Sequence, residues 1–284
     1  MTLRELIRET ERRLRAAQLH YGHGTDNAHD EAAWLVLRGL ELSFDADLRQ
    51  PADPRRIEHL VRKRIRERVP LAYLLGEAWL DGVPFCVDRR VIIPRSHIPF
   101  VVKRLRVAPG RILDLCTGSG CLAILAARAF PRARVDAADI AASALAVARK
   151  NVSRHGLQER IRLVRSDLFS SLGHASYDLI VANPPYVTTA AMRTLPPEYR
   201  YEPGIALAAG RDGLELVSRI IAEAPARLNP RGILVCEVGG ARAALERAYP
   251  RLPLRWPQPE VFTLAAPRRP PAFQMRAMPA RAPQ

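Results

Sequence analysis

Lysine is nearly missing from this chain. Of 44 lysine and arginine residues, only Lys63, Lys103 and Lys150 are lysines. Cysteine is sparse as well: the four are Cys86, Cys116, Cys121 and Cys236, and none forms a Cys-x-x-Cys pair. That spacing excludes a zinc ribbon or finger, so no metal is expected. Cys116 and Cys236 sit in apolar stretches and read as small buried hydrophobes, and disulfides are not expected. No apolar run is long enough to cross a bilayer, which argues against a membrane protein. Met1 to Leu14 carries charges throughout and does not resemble a signal peptide, so a cytoplasmic location is expected.

What is present is a 284-residue chain, 48% hydrophobic, with a net charge of +15 and a pI near 10.7. Length and apolar content suit one large domain or two ordinary ones. The basic balance has two readings. It favours an acidic partner such as RNA, through counterion release from phosphates. The bias toward arginine also fits a GC-rich genome with no selection for RNA.

Residues 1–75 read as helical. Leu3, Leu6, Ile7 and Leu14 recur at helical spacing. A second helix follows Asp30-Glu31, and a third is expected from Pro54 through Leu60, Ile65 and Val69. On the third, Arg62-Lys63-Arg64 and Arg66 form a solvated basic face or an RNA contact. Residues 76–98 read as a hairpin linker, with an Asp81-Gly82 turn between apolar residues and a further strand at Val91-Ile92-Ile93. Residues 99–266 alternate strands and helices, which implies a mostly parallel sheet covered on both faces. Val261-Phe-Thr-Leu264 reads as a final edge strand. Residues 267–284, rich in Pro, Arg and Ala, read as a disordered tail.

Asp114-Leu-Cys-Thr117-Gly118-Ser-Gly120 lies where a strand gives way to a helix. Glycines there permit a tight turn and a close approach of backbone to ligand. Alone, such a turn can serve only to pack a helix. Asp139 closes the next strand, where a carboxylate can accept both hydroxyls of a ribose. Asp167 closes the third strand and can take an adenine amino group, with Leu168 or Phe169 against the ring. Three acidic strand ends on one edge fit a nucleoside. The chain lacks the full Gly-x-Gly-x-x-Gly expected for a nicotinamide dinucleotide.

The fourth strand runs into Asn183-Pro184-Pro185-Tyr186. Asn183 and Pro184 each precede a proline and are pushed into extended backbone. The Asn183 side chain and the Pro184 carbonyl then offer two acceptors to one NH2 group. An amide nitrogen is a poor nucleophile because its lone pair is delocalised. Acceptors on both hydrogens fix its orientation and raise electron density on nitrogen, so it can be set in line with the methyl of a sulfonium. Tyr186 can turn an aromatic face toward the substrate or a cationic sulfur.

With these motifs the chain, from about Leu71 to Leu264, resembles the class I methyltransferases that modify glutamine side chains in translation proteins. The resemblance implies a seven-stranded Rossmann-like domain preceded by a small helical substrate-recognition domain and a hairpin linker. It implies S-adenosylmethionine as cofactor, bound through Asp114, Thr117, Gly118, Gly120, Asp139, Asp167, Leu168 and Asn183. It also implies that Asn183, Pro184, Pro185 and Tyr186 hold the substrate amide. One branch of the family methylates the Gly-Gly-Gln motif of peptide-chain release factors. The other acts on ribosomal protein three of the large subunit. Pro94-Arg95-Ser96-His97-Ile98, Leu195 to Pro203, Ala209 to Leu214 and Cys236-Glu-Val-Gly239 are similar to the ribosomal branch, so that protein or its assembly precursor is the expected partner.

The stretch Pro99 to Pro109 is shorter than in that family and lacks its acidic residue. Gly240 replaces a usual asparagine, and the loop Trp256 to Glu260 is short. Two other functions compete. A DNA adenine-N6 methyltransferase also uses Asn-Pro-Pro-Tyr, but it flips a base with a target-recognition domain that the small N-terminal segment does not resemble. A non-catalytic ribosome-assembly factor would keep the fold but not the intact Asn183 motif. His97 reads as structural, and Glu198 and Glu202 as partners of arginines.

Overall fold

The computed structural model describes residues 1–266. The tail expected at 267–284 lies outside the described residues. Helix α1 (Leu3–Ala16) opens with a capping box, in which Thr2 and Glu5 exchange side-chain-to-backbone hydrogen bonds. It packs on α2 (Ala28–Gly39), whose first turn is capped by Asn27. The third helix is not continuous. A 3-10 turn at Pro54–Arg56 leads into α3 (Glu58–Arg62), which loosens into a π-helical turn at Lys63–Glu67, and α4 (Leu71–Leu75) closes the segment. Among the described residues no helix is long and apolar enough to cross a membrane.

A hairpin of β1 (Glu77–Leu80) and β2 (Val83–Cys86) follows. Its turn residues Asp81 and Gly82 both have positive φ, 55° and 75°, the type I′ geometry that the Asp-Gly pair favours. The strand expected at Val91-Ile92-Ile93 does not form; these residues run as irregular backbone. Val91 and Ile93 are buried against the helical segment, and the Ile93 N–H donates to the Glu202 carboxylate at 3.0 Å rather than to a neighbouring strand. Their apolar character serves tertiary packing, and Pro94 removes the next donor.

The remaining elements are α5 (Ile98–Val102), β3 (Arg111–Leu115), α6 (Cys121–Ala129), β4 (Arg134–Asp139), α7 (Ala142–Arg154), β5 (Ile161–Arg165), β6 (Tyr177–Ala182), α8 (Thr189–Met192), α9 (Glu215–Arg227), β7 (Leu228–Glu237), α10 (Arg242–Ala248), β8 (Arg255–Gln258) and β9 (Val261–Ala265). They build the mixed α/β fold expected, with a seven-stranded sheet in the order β5-β4-β3-β6-β7-β9-β8. Strands β3 to β7 are parallel, and β9 is antiparallel to both its neighbours. Val261–Leu264 is therefore not the edge: β9 inserts between β7 and β8, and Arg255–Gln258 forms the margin. Separate apolar cores lie on the two faces, one around Leu113, Ile180 and Phe262, the other around Ile112, Ile124 and Val235. A third core fills the helical segment and reaches Ala144 and Val147 of α7.

The strand order reverses between β3 and β6, where Leu115 pairs with Ala182. In open α/β sheets the crevice at such a switch point, beyond the carboxyl ends of the strands, is where ligands bind. Here it brings the glycine turn after Leu115 beside Asn183.

Candidate active site

A cleft opens at that switch point, enclosing about 1080 Å³ of space including its mouth. Its floor comes from four consecutive strand ends: Cys116 and Gly118 after β3, Asp139 at the end of β4, Asp167 and Leu168 after β5, and Asn183 and Pro185 after β6. Five residues expected at the ligand site, Gly118, Asp139, Asp167, Leu168 and Asn183, are thus brought together, with Pro185 beside them.

The other expected residues stand behind this wall. Asp114 is fully buried; one carboxylate oxygen accepts from Thr117 Oγ1 at 2.6 Å and from the Ala123 N–H at 2.9 Å. Burial pushes its carboxyl up to about 7, against those two hydrogen bonds. Asp114 and Thr117 therefore brace the turn. Its second oxygen has no partner among the described residues, a buried acceptor just behind the turn. Gly120 has φ +81°, and a Cβ there would come within 3.2 Å of the Ala148 Cβ, so it permits close packing of α6 on α7. At Gly118, φ +55°, a Cβ would meet no described atom closer than Ile92 Cγ2 at 3.9 Å, so that side stays open to the cleft. Cys116, expected as a buried hydrophobe, is only half-buried and lines the cleft, whereas Cys236 is buried.

Asp139 is held from both sides. Oδ2 accepts from the Gly118 N–H and Oδ1 from the Ala141 N–H, both at 2.9 Å, and burial raises its carboxyl despite them. Each oxygen keeps a lone pair for a hydroxyl donor. Asp167 is exposed and paired with Arg219 of α9 at 3.0 Å. Ile140 and Ile205, 48% and 61% exposed, flank the cleft and give it apolar sides of the kind a planar base needs. The donor set, open glycine and apolar flanks fit a nucleoside.

At β6 the Asn183 side-chain NH2 donates to the Arg95 carbonyl at 3.3 Å, which leaves Oδ1 as an acceptor. Pro184 is buried and does not line the cleft. Tyr186 packs its ring on Gly239, where a Cβ would lie 2.5 Å from Cε2, and its carbonyl lies against Gly213. Burial pushes the Tyr186 phenol up, with the Glu237 charge adding to the effect. Arg95 forms a two-pronged pair with buried Glu202, both contacts at 2.6 Å. Buried Glu237 accepts from Ser96 Oγ at 2.5 Å and from the His97 N–H at 3.0 Å. His97 acts here through its backbone, and its side chain is exposed.

The basic face expected on Arg62-Lys63-Arg64 needs correction. Arg62, Lys63 and Arg66 are exposed, but Arg64 is 1% exposed. It pairs with Glu31 at 2.6 Å and Glu198 at 3.3 Å and donates to the His20 carbonyl at 2.8 Å. Ile205, Arg219 and Glu215 in the cleft wall were not foreseen. They come from segments far from the motifs, and nothing local marks them.

The family model for the methyltransferase small domain matches residues 99–195, the span that carries the glycine turn, Asp139, Asp167 and Asn183. The ribosomal protein uL3 glutamine methyltransferase of Bordetella pertussis is 52% identical over 270 residues, covering 90% of each chain. The chain belongs to the ribosomal protein uL3 glutamine methyltransferase family. Other members, from Burkholderia pseudomallei and Bradyrhizobium diazoefficiens, are 47% and 44% identical over at least 90% of this chain and of each relative. Like them it is a methyltransferase.

Proposed function

We propose that this protein transfers a methyl group from S-adenosylmethionine to the side-chain amide nitrogen of a glutamine in large-subunit ribosomal protein three. One observation carries the reading: Asn183 stands at the switch point beside the glycine turn, with its NH2 committed to Arg95 and its Oδ1 open. That is an acceptor aimed where an amide NH2 can dock. Gly118, Asp139, Asp167 and Leu168 hold the nucleoside, while Asp114, Thr117 and Gly120 set the turn from behind.

The cofactor supplies an electrophilic methyl on a cationic sulfur. The chain supplies position. Asn183 Oδ1 takes one amide hydrogen, and the consecutive prolines Pro184 and Pro185 keep that acceptor fixed; the Pro184 carbonyl would take the second once the substrate is seated, since Pro184 itself does not line the cleft. Tyr186 is braced by Gly239 and Gly213 beside the cleft, where it would bound the amide once the substrate is seated. Orientation needs no general base, but the nitrogen must lose one of its two protons when it takes the methyl, and solvent at the mouth of the cleft would receive it.

Residues 1–75 and the linker 76–98 serve recognition of the ribosomal protein, and residues 99–266 the chemistry. The exposed Arg62, Lys63 and Arg66 give a place for rRNA contact if the substrate is met on an assembly precursor. A ribosomal substrate also puts the enzyme in the cytoplasm. The test is incubation with labelled S-adenosylmethionine and three substrates from cells lacking the enzyme: large-subunit particles, release factors and DNA. Label on a glutamine of ribosomal protein three is expected. Label confined to the Gly-Gly-Gln motif or to adenine would redirect the reading.

A further inference from the structure

We propose that Glu202 is a positioning residue for methyl transfer, which selects the orientation of the Asn183 amide by holding the Arg95 carbonyl in place. The proposal rests on the reading of Asn183 as the amide clamp.

Glu202 follows Asn183 by 19 residues and returns beneath the Ile93-Pro94-Arg95 segment. Its side chain is fully buried. Oε1 accepts from the Ile93 N–H at 3.0 Å and from Arg95 Nη1 at 2.6 Å; Oε2 accepts from Arg95 Nη2 at 2.6 Å. Both ends of a three-residue segment are thus tied to one carboxylate, and the residue between them is a proline with fixed φ. Burial acts to raise the Glu202 carboxyl, but the Arg95 fork outweighs it and holds it at about 2. The clamp is charged at any working pH. His23 of the helical segment lies 3.8 Å from Oε2 and stacks on Tyr199, which closes the carboxylate off from water.

The Arg95 carbonyl emerges from this clamp and accepts from Asn183 Nδ2. A carboxamide can present either its oxygen or its NH2 in a given direction. A carbonyl on one side can accept only from the NH2, so it selects the orientation that leaves Oδ1 facing the cleft. With the amide reversed, Asn183 would offer donors to an incoming NH2 group and repel it. The binding of the nucleoside does not depend on this choice, but the alignment of the acceptor nitrogen does.

A residue that merely stiffens the fold would lower cofactor binding and turnover together, whereas one acting through Asn183 lowers the turnover of the folded enzyme and spares cofactor binding, whatever it also contributes to stability. The test is a double-mutant cycle of Glu202→Gln and Asn183→Ala, with circular dichroism to follow the fold, calorimetry with S-adenosylmethionine, and single-turnover methylation of large-subunit particles. Glu202→Gln is expected to lower the turnover by about ten- to a hundredfold, the scale of a small misplacement of reacting groups. Cofactor affinity should stay within about twofold of the parent, as expected when ground-state binding is untouched. In the Asn183→Ala background the same substitution should cost nothing further. Should Glu202→Gln not fold, Arg95→Lys replaces the fork by a single donor and carries the same comparison. A parental turnover for the Glu202 or Arg95 variant, or a loss that adds fully to that of Asn183→Ala, overturns the positioning role. A parental rate for Asn183→Ala itself would sink the clamp reading, and the positioning role with it.

Discussion

Replacing Arg64 with methionine should destabilise the protein by about 3–5 kcal/mol, the cost of removing one partner from a buried ion pair. Arg64 is 1% exposed and makes four polar contacts: two to Glu31, one to Glu198 and one to the His20 carbonyl. Methionine fills much of the same volume, so cavity formation adds little. What remains is a pair of buried carboxylates without their shared cation. Glu198 keeps Arg68 at 3.2 Å and the His20 N–H at 3.0 Å, which places the cost toward the lower end; among the described residues Glu31 keeps only Thr25 Oγ1, at 3.3 Å. For a domain this size each kcal/mol moves the melting temperature by about 2–4 °C, so a fall of at least about 6 °C is expected by calorimetry. The pH dependence has a definite sign. Burial acts to raise the Glu198 carboxyl, but the His20 N–H, Arg64 and Arg68 together hold it below the ordinary value of 4.5. Its contribution is present above pH 4.5 and is lost as pH falls through its folded value. The variant forfeits part of that contribution, so the gap between parent and variant should narrow as pH drops toward 3. Arg62→Gln, one turn position away but exposed, should stay within about 0.5 kcal/mol of the parent. Equal melting temperatures for Arg64→Met and Arg62→Gln would refute the reasoning.

Asp139→Ala should weaken S-adenosylmethionine binding by about 1.5–3 kcal/mol, because charge-assisted hydrogen bonds to ribose are lost; unchanged calorimetric affinity would remove Asp139 from the site. Glu202 is held at about 2 against an ordinary 4.5, a stabilisation of about 3 kcal/mol present above pH 4.5 and lost as pH falls toward 2. Urea midpoints of the parent and Glu202→Gln should therefore differ at pH 7 and converge near pH 2. Gly239→Ala sets a Cβ 2.5 Å from the Tyr186 ring at φ +47°, and should cost about 1–3 kcal/mol by overpacking while lowering methyl transfer; a variant with parental stability and rate would show that Tyr186 is not braced there. If rRNA recruits the enzyme, Arg62→Gln/Lys63→Gln/Arg66→Gln should reduce methylation of particles at low salt but not of free substrate protein, with the difference shrinking as salt rises. Arg64 must be left intact, or unfolding would pass for lost recruitment.

Much of the architecture could be read from residues because local chemistry and final structure agree there. The Asp81-Gly82 turn, the glycine turn after Leu115 and the extended backbone of Asn183-Pro184-Pro185 each follow from what their own residues permit. The misses lie where a partner distant in sequence decides. Arg64 reads as surface charge because Glu31 lies 33 residues before it and Glu198 lies 134 residues after it. Val91 to Ile93 reads as a strand because its burial looks the same whether strands or helices supply it. Strand β8 alternates between exposed and half-buried residues and holds Pro257, so little in Arg255 to Gln258 distinguishes a margin strand from a loop. At the site, the residues that face a ligand and those that brace them are of the same types at neighbouring strand ends. Only the packing separates Gly118 from Gly120 and Asp139 from Asp114.

On the proposed reading Asn183 orients the glutamine amide and, although it lines the cofactor's cleft, adds little to cofactor affinity. Its most direct test is single-turnover methylation of ribosomal protein three by Asn183→Ala, beside calorimetric titration of the same variant with S-adenosylmethionine. Cofactor affinity close to the parent's is expected, with a rate lower by at least about a hundredfold, the usual scale for losing an orienting polar group in a buried site. Parental methylation of the glutamine by this variant would contradict it.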